Sequence, residues 1–371
     1  MLKIINVISD SNIGGAGKCI LTFLKYYDKS RFDVKVVVPT GSLLKEELLS
    51  LGAYVIEADG IADKSLSAKG IRTLKKIFKE HKPDVIHCHA SMSARFAGRL
   101  YGKAKIVFTR HSVFEPSKRI SRGIGKAING FVNNATADKI IAVAEAAKDN
   151  IVETGVSEKK ITVIKNGVEP LKYVSDEEKL RLKSNYNVGD GEYLIGIVAR
   201  LNYVKGHIYI LEALKKLVED GIKVKLLVAG TGDYEEEIRS AIARLDIAEN
   251  VIMAGFVTDV TGIMNILDLN INASFGTEAT SLSLLEGMSI GLPAVVSDFG
   301  GNPGVVTHGV NGLIFKKCDS DDLYHKLHGL LTDEEEMKKL KEGALKVFDE
   351  QFRAEVMTDS IQKIYEEVAV K

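Results

Sequence analysis

Cysteine is scarce: Cys19, Cys88 and Cys318 are the only three in 371 residues, far apart and without CxxC spacing. That excludes a disulfide framework and offers no zinc pattern. Net charge is missing too. Fifty Lys and Arg balance fifty Asp and Glu, so bulk electrostatics give no reason to expect a nucleic-acid partner. No apolar run approaches the ~18 residues of a transmembrane helix, and residues 1–9 read as a strand rather than a signal peptide. What is present is a globular composition, 45% hydrophobic and 27% charged, enough for a sizeable core. At roughly 150 residues per domain, the length predicts two or three domains. The expectation is a cytoplasmic α/β protein.

The first half alternates short β-branched runs with amphipathic stretches. Strands are expected at 2–9, 34–39, 53–58, 84–89, 105–110, 138–143 and 161–164. Helical spacing puts Ile20, Leu24 and Tyr27 on one face of 16–27, and Ile71, Leu74 and Phe78 on one face of 67–80. Strands this uniformly apolar predict a parallel sheet covered on both faces. Residues 169–190 are polar and break the pattern, which predicts an interdomain connection. Alternation restarts with strands at 193–199, 224–230, 251–255, 267–273, 294–297 and 312–315, and helices at 205–219, 233–246, 280–290, 319–331 and 333–350. The reading is two doubly wound domains, 1–168 and 191–350, with 351–371 as a further helix joined to the first.

Three loops carry candidate chemistry. Ser11-Asn12-Ile13-Gly14-Gly15-Ala16-Gly17-Lys18 opens a helix directly after the first strand. Ile20 stands where a dinucleotide fingerprint needs its third Gly, and Asn12 and Cys19 break a Walker pattern. A phosphate-facing loop and a plain tight turn both remain. After the first strand of the second half, Arg200 and Lys205 flank a loop before a helix. At that sheet edge they suit a diphosphate, or are two surface cations. The third stretch is FGTEATSLSLLEGMSIGLP, with Glu278 before a helix and Glu286 about two turns into it. Carboxylates accept from sugar hydroxyls, and amides near Ser281 and Leu282 could hold an anion between them. A dipole-friendly cap is the plainer role for Glu278.

Together these motifs resemble glycosyltransferase family four, the large group of retaining GT-B enzymes. The matching pieces are the Gly14-Gly15 loop, DVIHCH, Thr109-Arg110-His111, VIKNGVEP at 163–170, the Arg200/Lys205 pair, Gly230-Thr-Gly232, the E-x7-E pair, GLP, GGNP and NGLIF. The resemblance runs over roughly residues 4–365 and departs at Thr280-Ser281, where Phe-Gly is more usual, and at Asn302-Pro303. It implies two Rossmann-like domains facing across a cleft, with a C-terminal helix crossing back to the first. It implies that Arg200 and Lys205 neutralise a donor diphosphate, helped by Gly14, Gly15 and the amides of Ser281 and Leu282. Glu278 would bind hydroxyls of the transferred sugar, Glu286 the ribose and His111 the donor sugar. Gly232 and the backbone around Val257 complete the donor side.

The activity this implies is retaining transfer of a hexose from a nucleotide diphosphate sugar, UDP-sugar favoured, to an envelope polysaccharide or lipid-linked acceptor, without metal or cofactor. A GT-B sugar-nucleotide epimerase or hydrolase, and a non-catalytic nucleotide-sugar-binding protein, are the alternatives. Asp319-Ser-Asp321 reads as a helix cap rather than a metal motif. His87 and His89 share a strand face without further ligands for a metal. The basic segment 118–126 is a solvated face or a patch for an anionic membrane or acceptor, extending through 131. Acceptor choice is expected from loops such as 111–126. A peripheral position at the inner face of the membrane follows if the patch binds lipid.

Overall fold

Both faces of the first strand are apolar: Ile4, Ile5, Val7 and Ile8 are all buried, which a sheet covered on both sides permits. The computed structural model describes residues 1–113 and 116–370. Phe114 and Glu115 of the expected acceptor-side loop, and Lys371 of the tail, lie outside the described residues. The chain divides into one unit made of Met1–Val168 with Ala354–Lys371, and another made of Glu169–Arg353.

Among the described residues, the first unit carries β1 (Leu2–Ile8), β2 (Phe32–Pro39), β3 (Tyr54–Ala58), β4 (Val85–His89), β5 (Lys105–Arg110), β6 (Lys139–Ala142) and β7 (Ile161–Val163). All pairs are parallel, in the order β3-β2-β1-β4-β5-β6-β7. The order reverses between β1 and β4, so the loops at their carboxyl ends diverge and leave a crevice. In the second unit β8 (Tyr193–Val198), β9 (Val224–Ala229), β10 (Val251–Gly255), β11 (Leu269–Asn272), β12 (Ala294–Ser297) and β13 (Gly312–Phe315) run in the order β10-β9-β8-β11-β12-β13. These pairs too are parallel. The switch falls between β8 and β11.

The terminal helix Ala354–Val370 belongs to the first unit. Met357, Ile361, Ile364, Tyr365 and Val368 join the core formed by β1, β4 and the helix Gly15–Tyr26. At ~1.5–3 kcal/mol per buried side chain, these five contribute on the order of 10 kcal/mol of gross transfer energy. Arg31 pairs with Glu366 at the surface, and Ala354 N–H donates to the Val168 carbonyl at 3.0 Å, beside the point where the chain leaves the unit.

Two boundaries differ from the sequence expectation. Residues 351–353 group with the second unit rather than with the tail. The segment 169–190 is no open linker: it carries the helix Asp176–Asn185, capped by the Ser175 hydroxyl, which accepts from Glu178 N–H. That helix has no buried residue, so no apolar stripe signals it.

Candidate functional site

Arg200, Lys205 and Glu278 follow the carboxyl ends of the two parallel strands at the switch point of the second unit, and Gly14, Gly15 and His111 follow strand ends in the first; Leu282 and Glu286 lie on a helix and Val257 follows the edge strand β10. In the second unit the loop after β8 holds Arg200 to Gly206, and the loop after β11 holds Ser274 to Glu278. Gly206 has φ +73°, and a Cβ there would lie 2.2 Å from the Ala273 carbonyl oxygen, so glycine alone closes that loop against β11. Phe275 N–H donates to the Val204 carbonyl at 2.9 Å and ties the two loops together.

This packing puts Lys205 Nζ 2.7 Å from Glu278 Oε2. Glu278 is 7% exposed, and the same oxygen accepts from Asn272 Nδ2 at 3.0 Å and Ser274 Oγ at 3.1 Å. Behind them, Ser297 Oγ donates to the Ser274 carbonyl, and Asn302 Nδ2 to Ser297 Oγ at 3.0 Å. The glycines at 300 and 301 hold the Glu278 backbone: Gly301 N–H donates to the Glu278 carbonyl, and a Cβ on Gly301 would fall 1.6 Å from the Ala279 oxygen. Arg200 is exposed at the start of its loop.

Ser281 precedes the helix Leu282–Met288, which carries half-buried Glu286. Gly232 packs under the loop after β8, where any Cβ would meet the Leu201 carbonyl at 2.0 Å. Gly230 N–H donates to the Gly255 carbonyl at 2.7 Å, joining the loop after β9 to the one leading to Val257. Arg200, Lys205 and Glu278 are thus brought to one switch point, with Gly232 and Val257 on the loops beside it.

In the first unit Gly14 caps the helix Gly15–Tyr26 and Gly15 faces open space. Across the switch, the ends of β4 and β5 carry a histidine relay. His87 Nδ1 meets the Tyr365 hydroxyl at 2.7 Å and Nε2 meets Thr109 Oγ1 at 2.6 Å. His89 Nε2 donates to Asn6 Oδ1 at 3.1 Å, so in the neutral ring its Nδ1 accepts from His111 Nε2 at 2.8 Å. His111 Nδ1 is then an acceptor, enclosed and without a partner among the described residues. Desolvation holds His111 down at about 4 and His87 at about 3, and pushes His89 well below the usual range. All three are neutral at pH 7.

Asn6, Asn272, Ser274, Ser297 and Tyr365 were not singled out from the sequence, and Asn302 stood there only as a departure from the family pattern. The signal available was a polar residue interrupting an apolar strand, as Asn6 does in LKIINVI and Asn272 in LNIN. Asp319 caps the helix Ser320–Leu331, its carboxylate accepting from Asp322 N–H at 3.0 Å.

The family description "Glycosyltransferase Family 4" matches residues 13–171, and "Glycosyl transferases group 1" matches 178–347. An uncharacterized glycosyltransferase of Methanocaldococcus jannaschii, MJ1607, is 29% identical over 266 residues, 68% of this chain and 67% of the relative. The UDP-Gal:alpha-D-GlcNAc-diphosphoundecaprenol alpha-1,3-galactosyltransferase of Escherichia coli is 26% identical over 311 residues, 81% and 80% of the two chains. Among solved structures, Anabaena HepE (Alr3699) in complex with UDP-glucose aligns with TM-score 0.85 at 21% identity, over 99% of this chain and 100% of that one. That last likeness speaks for the fold. Two doubly wound domains of this topology make the GT-B fold, and the chain belongs to glycosyltransferase family 4, as a glycosyltransferase of the group 1 type.

Proposed function

We propose that this glycosyltransferase is a retaining hexosyltransferase, moving a hexose from a UDP-sugar to a hydroxyl of a lipid-linked or envelope polysaccharide acceptor. The observation that carries the reading is Lys205 held on buried Glu278 beside exposed Arg200, at the switch point of the second unit. A cation fixed in this way is preorganised for the charge that develops on a leaving diphosphate. Support for the substrates comes from the Escherichia coli relative, named for a UDP-galactose donor and a diphosphoundecaprenol acceptor, and from the UDP-glucose bound to HepE.

In this proposal Arg200 and Lys205 take the diphosphate, with the amides of Ser281 and Leu282 and the Gly14-Gly15 turn assisting. Glu278 accepts from hydroxyls of the transferred hexose and Glu286 from the ribose, and His111 lies against the donor sugar. Gly232 and the Val257 backbone border the nucleotide. The acceptor oxygen bonds to the anomeric carbon as the carbon–phosphate oxygen bond breaks, on the same face, and its proton passes to the departing phosphate oxygen. Positioning and electrostatic stabilisation then supply the rate, with no metal or cofactor.

Membrane contact is part of the same proposal. The helix Gly123–Thr136 exposes Ile124 (80%), Ile128 (60%) and Phe131 (73%) at i, i+4 and i+7, along one face. Lys118, Arg119, Arg122 and Lys126 flank them, and no acidic residue occurs from 118 to 136. Such a face fits an anionic lipid surface, where a lipid-linked acceptor resides. Among the described residues no helix is long and apolar enough to cross a membrane, so the proposed state is cytoplasmic and peripheral.

A screen of UDP-, GDP- and ADP-hexoses by thermal shift and product analysis tests the donor. The largest shift is expected from a UDP-hexose and is lost in Lys205→Ala, because tight binding stabilises by mass action. An undiminished shift in Lys205→Ala, or release of free hexose in place of transfer, contradicts the proposal.

A further inference from the structure

Apart from the histidine relay, the first unit encloses a second polar cluster. Arg95, on the helix Met92–Tyr101, is 3% exposed. Its guanidinium carbon lies 4.4 Å from the Phe108 ring centroid. Nη1 donates to Asn133 Oδ1 at 2.9 Å, and Nη2 to the Met92 thioether at 2.8 Å, a weak acceptor. Nε is enclosed without an acceptor, and no carboxylate pairs with Arg95 among the described residues. Burial first, and to a smaller extent nearby Arg110, lower the Arg95 side chain to about 10, so it stays charged at pH 7. Arg110, at the end of β5, donates Nε to the Ser112 carbonyl at 3.0 Å. Both arginines line one cavity of about 210 Å³, with Asn129, Asn133 and Asn150 on its walls.

A buried cation without a counter-charge is costly, and stacking on Phe108 with one amide oxygen returns part of that cost. An apolar side chain would serve the packing better. The Arg95 fork on a polar cavity, with the charge of Arg110 beside it, matches the charge and geometry of a phosphate oxygen set. The volume equals roughly seven waters at ~30 Å³ each, room for a phosphate group with some water.

We propose that this cavity is an anion site that takes a phosphate group, with Arg95 as its principal fork and Arg110 as the second cation. The phosphate belongs either to the acceptor substrate or to free inorganic phosphate. The acceptor assignment rests on the transferase reading above; phosphate binding does not.

The test removes the other diphosphate cations first. In Arg200→Ala/Lys205→Ala protein, inorganic phosphate and phenyl phosphate are titrated and followed by phosphorus NMR line broadening. Saturable broadening is expected, weakened roughly tenfold or more by Arg95→Met, as loss of a charged hydrogen bond implies. A second variant guards against misfolding. Asn133→Asp gives Arg95 a carboxylate in place of its amide, and is expected to raise the melting temperature while abolishing phosphate binding. Equal broadening with and without either substitution overturns the site. In the protein with Arg200 and Lys205 intact, Arg95→Met identifies the source. A raised KM for a diphosphate-linked acceptor, with the donor KM unchanged, assigns the phosphate to the acceptor. An unchanged acceptor KM alongside lost phosphate binding assigns it to free phosphate.

Discussion

The Lys205–Glu278 contact makes the most quantitative demand on the second unit. Its 2.7 Å separation and the low exposure of both side chains, 16% and 7%, make it a buried pair. Removing one partner of such a pair costs ~3–5 kcal/mol, chiefly because the other charge is left behind. Lys205 retains some solvent, so Lys205→Met and Glu278→Gln are each expected near the lower end, about 3 kcal/mol. The double variant buries no orphan charge and should lose about as much as either single, leaving a coupling of roughly 2–3 kcal/mol. For a unit of this size, 1 kcal/mol moves the melting temperature by ~2–4 °C, so each single variant should fall roughly 6–12 °C. Calorimetry of the four proteins at one pH, with donor absent, supplies the cycle. If the two single effects add within ~0.5 kcal/mol, the residues act independently and the clamp is not real.

Other expectations follow from the rest of the molecule. His111 titrates at about 4 when folded and near 6.5 when unfolded, so the unfolded chain takes up the proton first as pH falls. Stability contributed by the neutral ring is full above pH 6.5 and lost between 6.5 and 4, on the order of 3 kcal/mol at 1.36 kcal/mol per unit; a His111→Asn protein should show a flatter stability profile over that window, and an equally steep one refutes the assignment. Reversing Arg119, Arg122 and Lys126 to Glu should weaken cosedimentation with anionic vesicles about 100-fold or more, since each basic residue at such a surface contributes ~1 kcal/mol; unchanged sedimentation ends the membrane proposal. Gly301→Ala should displace the Ala279 carbonyl, which a Cβ cannot clear, and with it the adjoining Glu278, lowering kcat/KM at least tenfold, while Gly15→Ala, facing open space, leaves the fold stable. Tyr365→Ala should cost about 3–5 kcal/mol by emptying a buried aromatic site, readable by chemical denaturation.

Much of the sheet was legible, because a parallel strand covered on both faces reads as an unbroken apolar run. Val85–His89, Lys105–Arg110, Ala294–Ser297 and Gly312–Phe315 fall within a residue of where the pattern puts them. The helix Met92–Tyr101 carries no such signal: its inner face is Ala94, Ala97 and Gly98, and Gly98 allows Ile106 and Ile86 to approach where a Cβ would clash. Small residues pack a helix tightly, and with Ser93 and Arg95 also buried on that face no stripe of large apolar side chains marks it. The candidate residues were legible as motifs, yet their partners were not. Glu278 and Lys205 are 73 residues apart, and nothing local says that one oxygen of Glu278 serves Lys205, Asn272 and Ser274 together. Likewise the spacing puts His87 and His89 on one face, but Asn6, Thr109, His111 and Tyr365 reach them only through tertiary structure.

The most direct test of the central claim is the anomeric configuration of the product, read by proton NMR during transfer from the preferred UDP-hexose to a lipid-linked acceptor. The new glycosidic bond is expected to keep the α configuration of the donor, and Lys205→Ala and Glu278→Gln are both expected to lower its rate of formation. A product with inverted, β configuration would require attack from the opposite face and a general base that the proposal does not contain, and would contradict it.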